Sequence, residues 1–322
     1  MAEKRFRTLV WVVFGYSLVV ILWGYFLRVS ESGDGCGTDW PLCLGSVVPE
    51  AAGFPTWVEY IHRVSSGVVL LLVLGMAVWA RRGFARGHAV RAAAGASLLL
   101  TVTESLFGAA LVAFGLVAED VSAARIAIRP FHVANTFSLM AALALTAWWA
   151  QRGVATIPSW KHPRGRGLLL ALAGLLLIAA TGSWTGLAGT AFPVATLAEG
   201  IGQYLNPEHL LIYLRVTHPV IALVVIALVG RMAISLTRSS SPPATRRLAL
   251  AACALGIIQL VLGPLTIVLL YPTALRLVHL AAADLLWISL VLLASEVLTA
   301  TPEESSRPPP GSARTRPGAA LP

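Results

Sequence analysis

The sequence predicts an all-α polytopic membrane protein whose eight transmembrane helices form two pseudo-symmetric four-helix bundles. Three observations support this fold class. Hydrophobic residues make up 57% of the chain and charged residues only 12%, whereas roughly a quarter of the residues in soluble domains are charged. Eight apolar stretches are long enough to cross a bilayer. The basic residues concentrate in alternate connections between these stretches.

Each predicted helix corresponds to an apolar window of about 20 residues, the length that crosses the hydrocarbon core. The windows lie near residues 9–28, 62–80, 92–116, 130–150, 168–187, 209–230, 246–270 and 275–298. The first follows Lys4, Arg5 and Arg7, but it is too long for a signal-peptide core and lacks a clear small-residue cleavage site. We therefore expect it to be retained as a helix.

The connections differ in charge according to the predicted side of the membrane. Cytoplasmic loops are enriched in Lys and Arg, and 18 of the 24 basic residues lie in segments 1–8, 81–91, 152–166, 231–247 and 300–322. Both termini are therefore predicted to be cytoplasmic, with the first long loop outside. The net charge of +9 fits basic loops beside anionic lipids. Nucleic-acid binding is not expected, because no basic segment carries interleaved aromatic residues.

A polar cytoplasmic linker at residues 152–167 separates an N-terminal bundle (1–151) from a C-terminal bundle (168–299). The tail, 300–322, is rich in Pro, Ser, Gly and Arg and is predicted to be disordered. The outer segment 188–208 is mostly small and apolar, and we expect it on the outer surface.

The two bundles resemble repeats of each other. His62 and His218 are 156 residues apart, and His132 and His279 are 147 apart. The segment that begins at Glu104 in the third predicted helix likewise mirrors Gln259-Leu-Val-Leu-Gly in the seventh. An even number of helices gives both halves the same orientation, so the predicted repeat is parallel, about an axis along the membrane normal.

Four histidines stand at the outer ends of even-numbered predicted helices, each three positions after a charged residue. Residues spaced i, i+3 share one face of a helix. The pairs are Glu59/His62, Arg129/His132, Arg215/His218 and Arg276/His279. Two such histidines in each bundle can face each other at one depth, and imidazole is a good axial ligand for haem iron in a bundle interior. Arg129, Arg215 and Arg276 are candidate partners for haem propionates.

The alternative interpretation is that each histidine is only an interfacial, hydrogen-bonded side chain. Their matched depth, shared charge spacing and repetition favour haem ligation. No predicted helix carries a histidine near its cytoplasmic end. This argues against a protein that transfers electrons across the membrane, which needs redox centres near both faces. His88, His162 and His209 lie in or beside loops, and we expect them to be solvated.

Three acidic residues lie near or within the predicted helices. Glu59 replaces the arginine found in the other three pairs, so it could pass protons, orient a bound group or stabilise a cationic intermediate. Alternatively, it only pairs with Arg63 or Arg129. Glu104 and Asp284 are intramembrane acids, and their roles are open between function and hydrogen bonding between helices.

The three cysteines differ in context. Cys36 and Cys43 share one polar outer loop, which suits a disulfide if that loop faces an oxidising compartment. A zinc site is disfavoured because two thiols make half of one. Cys253 lies alone in an apolar run and is expected to be a small buried hydrophobe.

The segment Arg28-Val-Ser-Glu-Ser-Gly-Asp-Gly-Cys-Gly-Thr-Asp-Trp-Pro-Leu-Cys43, followed by Glu59-Tyr-Ile-His-Arg63, resembles the haem A synthase family (CtaA/Cox15). Phe131-His-Val-Ala-Asn-Thr136 and the two C-terminal histidines extend the likeness over essentially residues 8–298. The resemblance implies a multi-pass oxidoreductase of the bacterial plasma membrane that converts haem O to haem A for terminal oxidases. In that family a ring methyl group becomes a formyl group by successive hydroxylations and loss of water.

Carried over residue by residue, the resemblance implies that His62 and His132 bind haem O as substrate. His218 and His279 would hold a haem b that relays electrons. Glu59 matches the family's essential glutamate, and Cys36 with Cys43 matches its outer-loop cysteine pair. Glu104 departs from the pattern, since glutamine is more usual there.

The implied partners are haem O and haem A, membrane lipids, a haem O synthase and an electron donor that the sequence does not identify. Whether the protein forms a homo-oligomer stays open, and no nucleic-acid partner is implied. Two other functions stay in contention, namely a dihaem membrane electron-transfer protein linked to quinol and a haem transporter or chaperone.

Overall fold

The computed structural model describes residues 2–50, 52–118, 120–238 and 241–299, with the side chain of Ala2 excepted. Helices account for most of this part of the chain and no strand occurs in it, which confirms the all-α fold class. The helices of the described residues are α1 (Ala2–Val29), α2 (Phe54–Gly83), α3 (Ala89–Ala113), α4 (Ala123–Arg152), α5 (Gly165–Ala191), α6 (Leu197–Leu205), α7 (Leu210–Arg215), α8 (Thr217–Arg238), α9 (Pro243–Val268) and α10 (Thr273–Thr299). The tail predicted to be disordered, 300–322, lies outside the described residues.

Eight helical segments among the described residues are long and apolar enough to cross a membrane, as predicted. The sixth is made of α7 and α8, which meet at Val216. Most ends extend beyond the apolar windows, because turns in the interfacial region keep their helical hydrogen bonds after the hydrophobic stretch ends. At one of these ends α2 begins eight residues early, at Phe54, with Pro55 in its first turn, a favourable helix start. Glu59 and His62 therefore lie well inside a helix.

The helices pack in two cyclic sets. In the N-terminal set α1 contacts α2 and α4, and α3 contacts α2 and α4. In the C-terminal set α5 contacts α8 and α10, and α9 contacts α8 and α10. The sets meet where α4 packs against α5 and α10 and where α1 packs against α10, a region that we call the seam. This packing is consistent with two four-helix bundles. Their boundaries and their pseudo-symmetry stay predictions.

Tryptophans on both sides hold the seam together by donating hydrogen bonds across it. Trp287 on α10 donates to the Phe137 carbonyl over 2.7 Å. From α4, Trp149 donates to Ser295 Oγ over 2.8 Å and Trp148 to Glu296 Oε1 over 2.9 Å. Hydrogen bonds between membrane helices are worth about 0.6–2 kcal/mol each. The seam therefore has specific polar contacts in addition to apolar packing.

A fourth indole bond follows from Pro130 in the second turn of α4. Proline has no N–H, so the carbonyl four residues earlier, that of Ile126, lacks its helical donor. Trp184 on α5 supplies the missing donor at 2.9 Å. The proline two residues before His132 thus also ties α4 to the C-terminal set.

The outer segment 188–208, whose conformation the sequence did not reveal, contains α6. Leu197, Ile201 and Leu205 are exposed on one face of this short helix, as their i, i+4, i+8 spacing requires. On its other side, α6 contacts α7.

The expectation that His88, His162 and His209 are solvated leaves out the local hydrogen bonds that these residues make. All three are only partly exposed, and each Nδ1 accepts a hydrogen bond from a backbone N–H two residues later. His88 and His209 cap the N-termini of α3 and α7, where the first N–H groups lack helical partners. A charge pattern cannot reveal such local bonds.

Candidate haem-binding sites

The four histidines singled out by the sequence lie near the N-terminal ends of α2, α4, α8 and α10. These helices belong to the even-numbered spans, which cross the membrane in the same direction. The fold therefore brings all four imidazoles toward one end of the molecule, two in each set of helices.

In the C-terminal set, the rings of His218 and His279 face each other. Their centroids are 6.4 Å apart and their planes are inclined by 83°. Bonds from a transition metal to an imidazole nitrogen measure about 2.0–2.1 Å, so one metal atom fits between the two rings. His218 Nδ1 lies 3.0 Å from the Ile178 carbonyl, the kind of contact that fixes the tautomer and orientation of a metal-ligating histidine. His218 and His279 would hold the iron of one porphyrin between them.

Glycines on α1 and α5 make room for the histidine rings. A Cβ on Gly24 would stand 2.6 Å from His62 Cε1, and one on Gly182 would stand 3.0 Å from His218 Cε1. A side chain at Gly24 would therefore force the His62 ring to move, and one at Gly182 would crowd the His218 ring. Gly24 and Gly182 are 158 residues apart, nearly the 156 that separate the two histidines they contact. Sequence analysis missed this pair, although the matching offset could have revealed it.

In the N-terminal set, His62 is close enough to His132 for the two rings to interact electrostatically. Both have a buried Nδ1 without a hydrogen-bond partner. The other nitrogen of His132, Nε2, is 3.7 Å from Glu104 Oε1. Within the described residues no three His, Cys, Asp or Glu side chains cluster as a bare metal ion would require. Two imidazoles per site fit iron whose remaining ligands come from a porphyrin.

Glu104 is the centre of a polar network between α3 and α4. It accepts hydrogen bonds from Asn135 Nδ2 at 2.6 Å and from Thr136 Oγ1 at 2.5 Å. Thr103 also donates to Asn135 Oδ1, at 2.7 Å. The matching residue in the other set, Gln259, donates instead to the His279 carbonyl at 2.9 Å. Each residue connects its helix to the neighbouring helix that carries a candidate ligand.

Asp284 has no such network. It is 1% exposed, and neither carboxyl oxygen has a hydrogen-bond partner. Its place on α10 is one and a half turns inward from His279.

Glu59 is 3% exposed and bonds with both of its carboxylate oxygens. Oε1 accepts from Arg63 Nε at 3.1 Å and Nη2 at 2.6 Å, and Oε2 accepts from the Cys36 backbone N–H at 2.8 Å. Arg63 also donates to the carbonyls of Asp39, Leu42 and Gly37 in the outer loop. Cys36 and Cys43 form a disulfide within that loop, as predicted. Glu59 and Arg63 thus connect the ligand helix α2 to the disulfide loop.

Two of the three arginines predicted to contact propionates are buried, and Arg129 is partly buried. Arg276 is 8% exposed and Arg215 is 1% exposed. Nε and Nη2 of Arg215 have no partner, as is also true of Arg129 Nε. Arg215 Nη1 donates to Gln203 at 3.3 Å, and its guanidinium lies 5.6 Å from the centroid of the Tyr204 ring. Burial raises the pKa of the Tyr204 phenol, which keeps this group neutral near physiological pH.

A further arginine, Arg28 in the last turn of α1, belongs to the same region. Its guanidinium lies 4.4 Å from the centroid of the Tyr25 ring and within electrostatic range of Arg276 and Arg129. In the sequence Arg28 is only the first residue of the segment that resembles the family, and no role was predicted for it. It has no histidine three positions later, so the repeated pattern does not mark it.

Comparison with known proteins agrees with this arrangement. Residues 7–291 match the COX15-CtaA family, described as cytochrome oxidase assembly protein. The chain is 40% identical over 301 residues to proteins named protoheme IX farnesyltransferase from two strains of Thermus thermophilus, and the match covers 92% of this chain and 49% of theirs. It is 37% identical over 98 residues to the heme A synthase of Alkalihalophilus pseudofirmus, covering 30% of this chain and 33% of that protein. The chain spans about half the length of the Thermus relatives.

Proposed function

The chain belongs to the COX15-CtaA family of cytochrome oxidase assembly proteins, and from this membership we propose that it is a haem A synthase. The reaction oxidises a ring methyl group of haem O to a formyl group. Relatives named heme A synthase match about 30% of the chain at 36–37% identity. The observation that carries the proposal is the pair of histidine sites that differ in one charged residue, Glu59 in one and Arg215 in the other.

The histidines have separate roles in this proposal. His62 and His132 hold the substrate haem O in the N-terminal set, and His218 and His279 hold a haem b that relays electrons. Bound haem supplies the redox chemistry, while the chain supplies position and electrostatics. The facing rings of His218 and His279, 6.4 Å apart, support the second site. Arg129, Arg215 and Arg276 bind propionates; this is supported by the burial of Arg215 and Arg276 and by the buried guanidinium nitrogens of Arg129 and Arg215 that lack a partner.

Glu59 distinguishes the proposed substrate site from the relay site. Its carboxylate, bonded to Arg63 and to the Cys36 amide, is held rigidly three residues before His62. A carboxylate fixed in this way can handle a proton or stabilise positive charge beside the substrate. The Cys36–Cys43 loop braces this position from outside.

The cellular setting follows from the same proposal. The protein lies in the bacterial plasma membrane with both termini in the cytoplasm and both haem sites toward the outer face. A haem O synthase is the proposed partner that hands over substrate. The two Thermus relatives, which are named for protoheme IX farnesylation and align with this chain over about half their length, support this partner.

The test is to express the protein with a supply of haem O, extract its haems and identify them by chromatography. We expect haem A or its hydroxylated precursor together with haem b, with the oxidised product absent in His62→Ala. Glu59→Gln should retain haem but lose product. His162→Ala, in the cytoplasmic linker, is the matched histidine control and should behave as wild type.

The other outcomes point to different functions. Haem b at both sites despite available haem O would indicate an electron-transfer protein instead. Unmodified haem released from the N-terminal set, with no dependence on oxygen, would indicate a transporter or chaperone. Full turnover in Glu59→Gln would remove the proposed role of that carboxylate.

A further inference from the structure

Arg28 lies in the seam, where the two sets of helices meet. It belongs to α1 of the N-terminal set, but its guanidinium rests on Gly186 of α5 in the C-terminal set. A Cβ at Gly186 would stand 2.7 Å from Nη1 and 2.9 Å from Nη2 of Arg28. The offset of 158 residues that relates Gly24 to Gly182 also relates Arg28 to Gly186. One half therefore carries a cation at this position, and the other half lacks a side chain that would obstruct it.

Two more arginines, Arg276 and Arg129, lie on opposite sides of the seam close to Arg28. Arg276 on α10 approaches the Gly186 carbonyl, with 3.5 Å between Nη2 and the oxygen, and it interacts with the Tyr25 side chain. Arg129 on α4 is within electrostatic range of both Arg28 and Arg276. We call Arg28, Arg129 and Arg276 the seam arginines.

The seam arginines lack a negative partner within the part of the chain that the structure describes. The ion pairs there involve Arg7, Arg63, His132 and Arg152 instead. Glu31 lines the same cavity of about 180 Å³ as Arg276 without forming an ion pair with it. Nη1 of Arg28 and Nε of Arg129 are buried without any hydrogen-bond partner. Arg276 is buried and Arg28 and Arg129 are partly buried, and three mutually repelling cations in such a place are unfavourable unless anions neutralise them.

From this arrangement we propose that Arg28 is a shared positioning residue that binds carboxylate groups of the ligands in both histidine sites at once. This inference rests on the proposed function, in which each site holds a haem with two propionates. Arg129 and Arg276 each serve the site of their own set of helices, and Arg28 joins the two. A planar guanidinium has five donors and can bind two carboxylates from different directions. Ligand binding in one site is then coupled electrostatically to ligand binding in the other site.

The test measures haem affinity in proteins that keep a single site. His62→Ala leaves the C-terminal site and His279→Ala leaves the N-terminal one, and each is purified in detergent and titrated with ferric protohaem. Hydrogen bonds to charged groups are strong enough that losing one weakens binding about tenfold or more. We expect Arg28→Gln to weaken binding by that factor in both backgrounds. Arg129→Gln should do so only when the N-terminal site remains, and Arg276→Gln only when the C-terminal site remains.

Protohaem dimethyl ester identifies the anion. Its propionates are esterified, so Arg28→Gln should not change its affinity. Equal effects of Arg28→Gln on the acid and the ester would indicate another anion, such as a lipid phosphate, and would overturn the proposal. Arg152→Gln is the matched control because Arg152 also crosses the seam, to Glu296 over 3.6 Å at the opposite end of α4. It should leave both affinities unchanged.

A second variant displaces Arg28 without removing its charge. Gly186→Ala places a methyl group against the guanidinium and should weaken haem binding at both sites. This variant tests the proposal even if Arg28→Gln fails to fold. Weakening in one background only would assign Arg28 to one site, and no weakening in either would give it no role in binding. Both results would overturn the inference and leave the proposed function standing. If neither histidine pair binds haem in the wild-type chain, the proposed function and the inference fail together.

Discussion

The carboxylate of Glu59 binds the backbone amide of Cys36 across 23 positions of sequence, with 2.8 Å between Oε2 and N. The other oxygen of the same carboxylate binds Arg63, which in turn holds three carbonyls of the loop that contains Cys36. The residue that distinguishes the two histidine sites is therefore also the anchor of the outer loop. A change at Glu59 should affect both the chemistry and the stability of the protein.

Glu59→Gln should lower the free energy of unfolding by about 1–3 kcal/mol, because an amide can accept only one of the two sets of donors and leaves a buried donor unsatisfied. Thermal unfolding in detergent measures this. The control is Glu3→Gln, which breaks a pair of the same i, i+4 spacing, with Arg7, in which Glu3 is 70% exposed. Exposed pairs are worth about 0–1 kcal/mol. Equal losses of unfolding free energy in the two variants would mean that burial of the Glu59–Arg63 pair adds nothing to stability.

Removing the disulfide with Cys36→Ser and Cys43→Ser should destabilise the outer loop. A disulfide that closes so short a loop contributes about 2–3 kcal/mol by restricting the unfolded chain. Unfolding of the double variant measures the loss, with Cys253→Ser as the control for removing a thiol. Alkylation and mass spectrometry on native membranes should find Cys36 and Cys43 protected, and two free thiols would contradict the disulfide.

Gly24→Ala and Gly182→Ala should each abolish haem binding at one site. The added methyl group would overlap the ring of His62 or His218 and turn the imidazole away from its ligating position. We expect Gly24→Ala to empty the N-terminal site and Gly182→Ala the C-terminal one, as measured by haem content and absorption spectra. Gly15→Ala lies on the same helix as Gly24 with nothing within 4 Å of the new Cβ. It should keep both haems, and loss of haem there would show a general intolerance of alanine.

Labelling of single cysteines should establish the orientation. In a Cys253→Ala background, Glu199→Cys on α6 should react with a membrane-impermeant maleimide in intact spheroplasts. Arg86→Cys, between α2 and α3, should react only after permeabilisation. Both positions are exposed, so accessibility alone does not separate them. The reverse pattern would contradict the orientation predicted from the basic loops.

The sequence was most informative where one helix is enough to define the feature. An apolar window shows a membrane span because its length and composition are local. A charge three residues before a histidine defines a helical face in the same way. The Cys36–Cys43 disulfide closes within one short loop, and this prediction is confirmed.

The features that the sequence did not reveal depend on contacts between distant segments. Arg28 reaches Gly186 only because the packing of the two sets of helices brings the end of α1 near α5, and neither residue carries a local signal for that contact. The bond from Glu59 to the Cys36 amide depends on the path of an irregular loop. Backbone donors look alike in every sequence, so bonds of this type become visible only in three dimensions.

The indole bonds across the seam also bear on how a large hydrophobic ligand enters. Trp148, Trp149 and Trp287 connect α4 and α10 by donating across the seam, and there is no water in the hydrocarbon core to replace these bonds once broken. Separating the two sets of helices would break several of these hydrogen bonds at once. We therefore expect the two sets of helices to stay packed together and not to move apart during binding. Each ligand would then enter from the lipid phase, between helices of its own set.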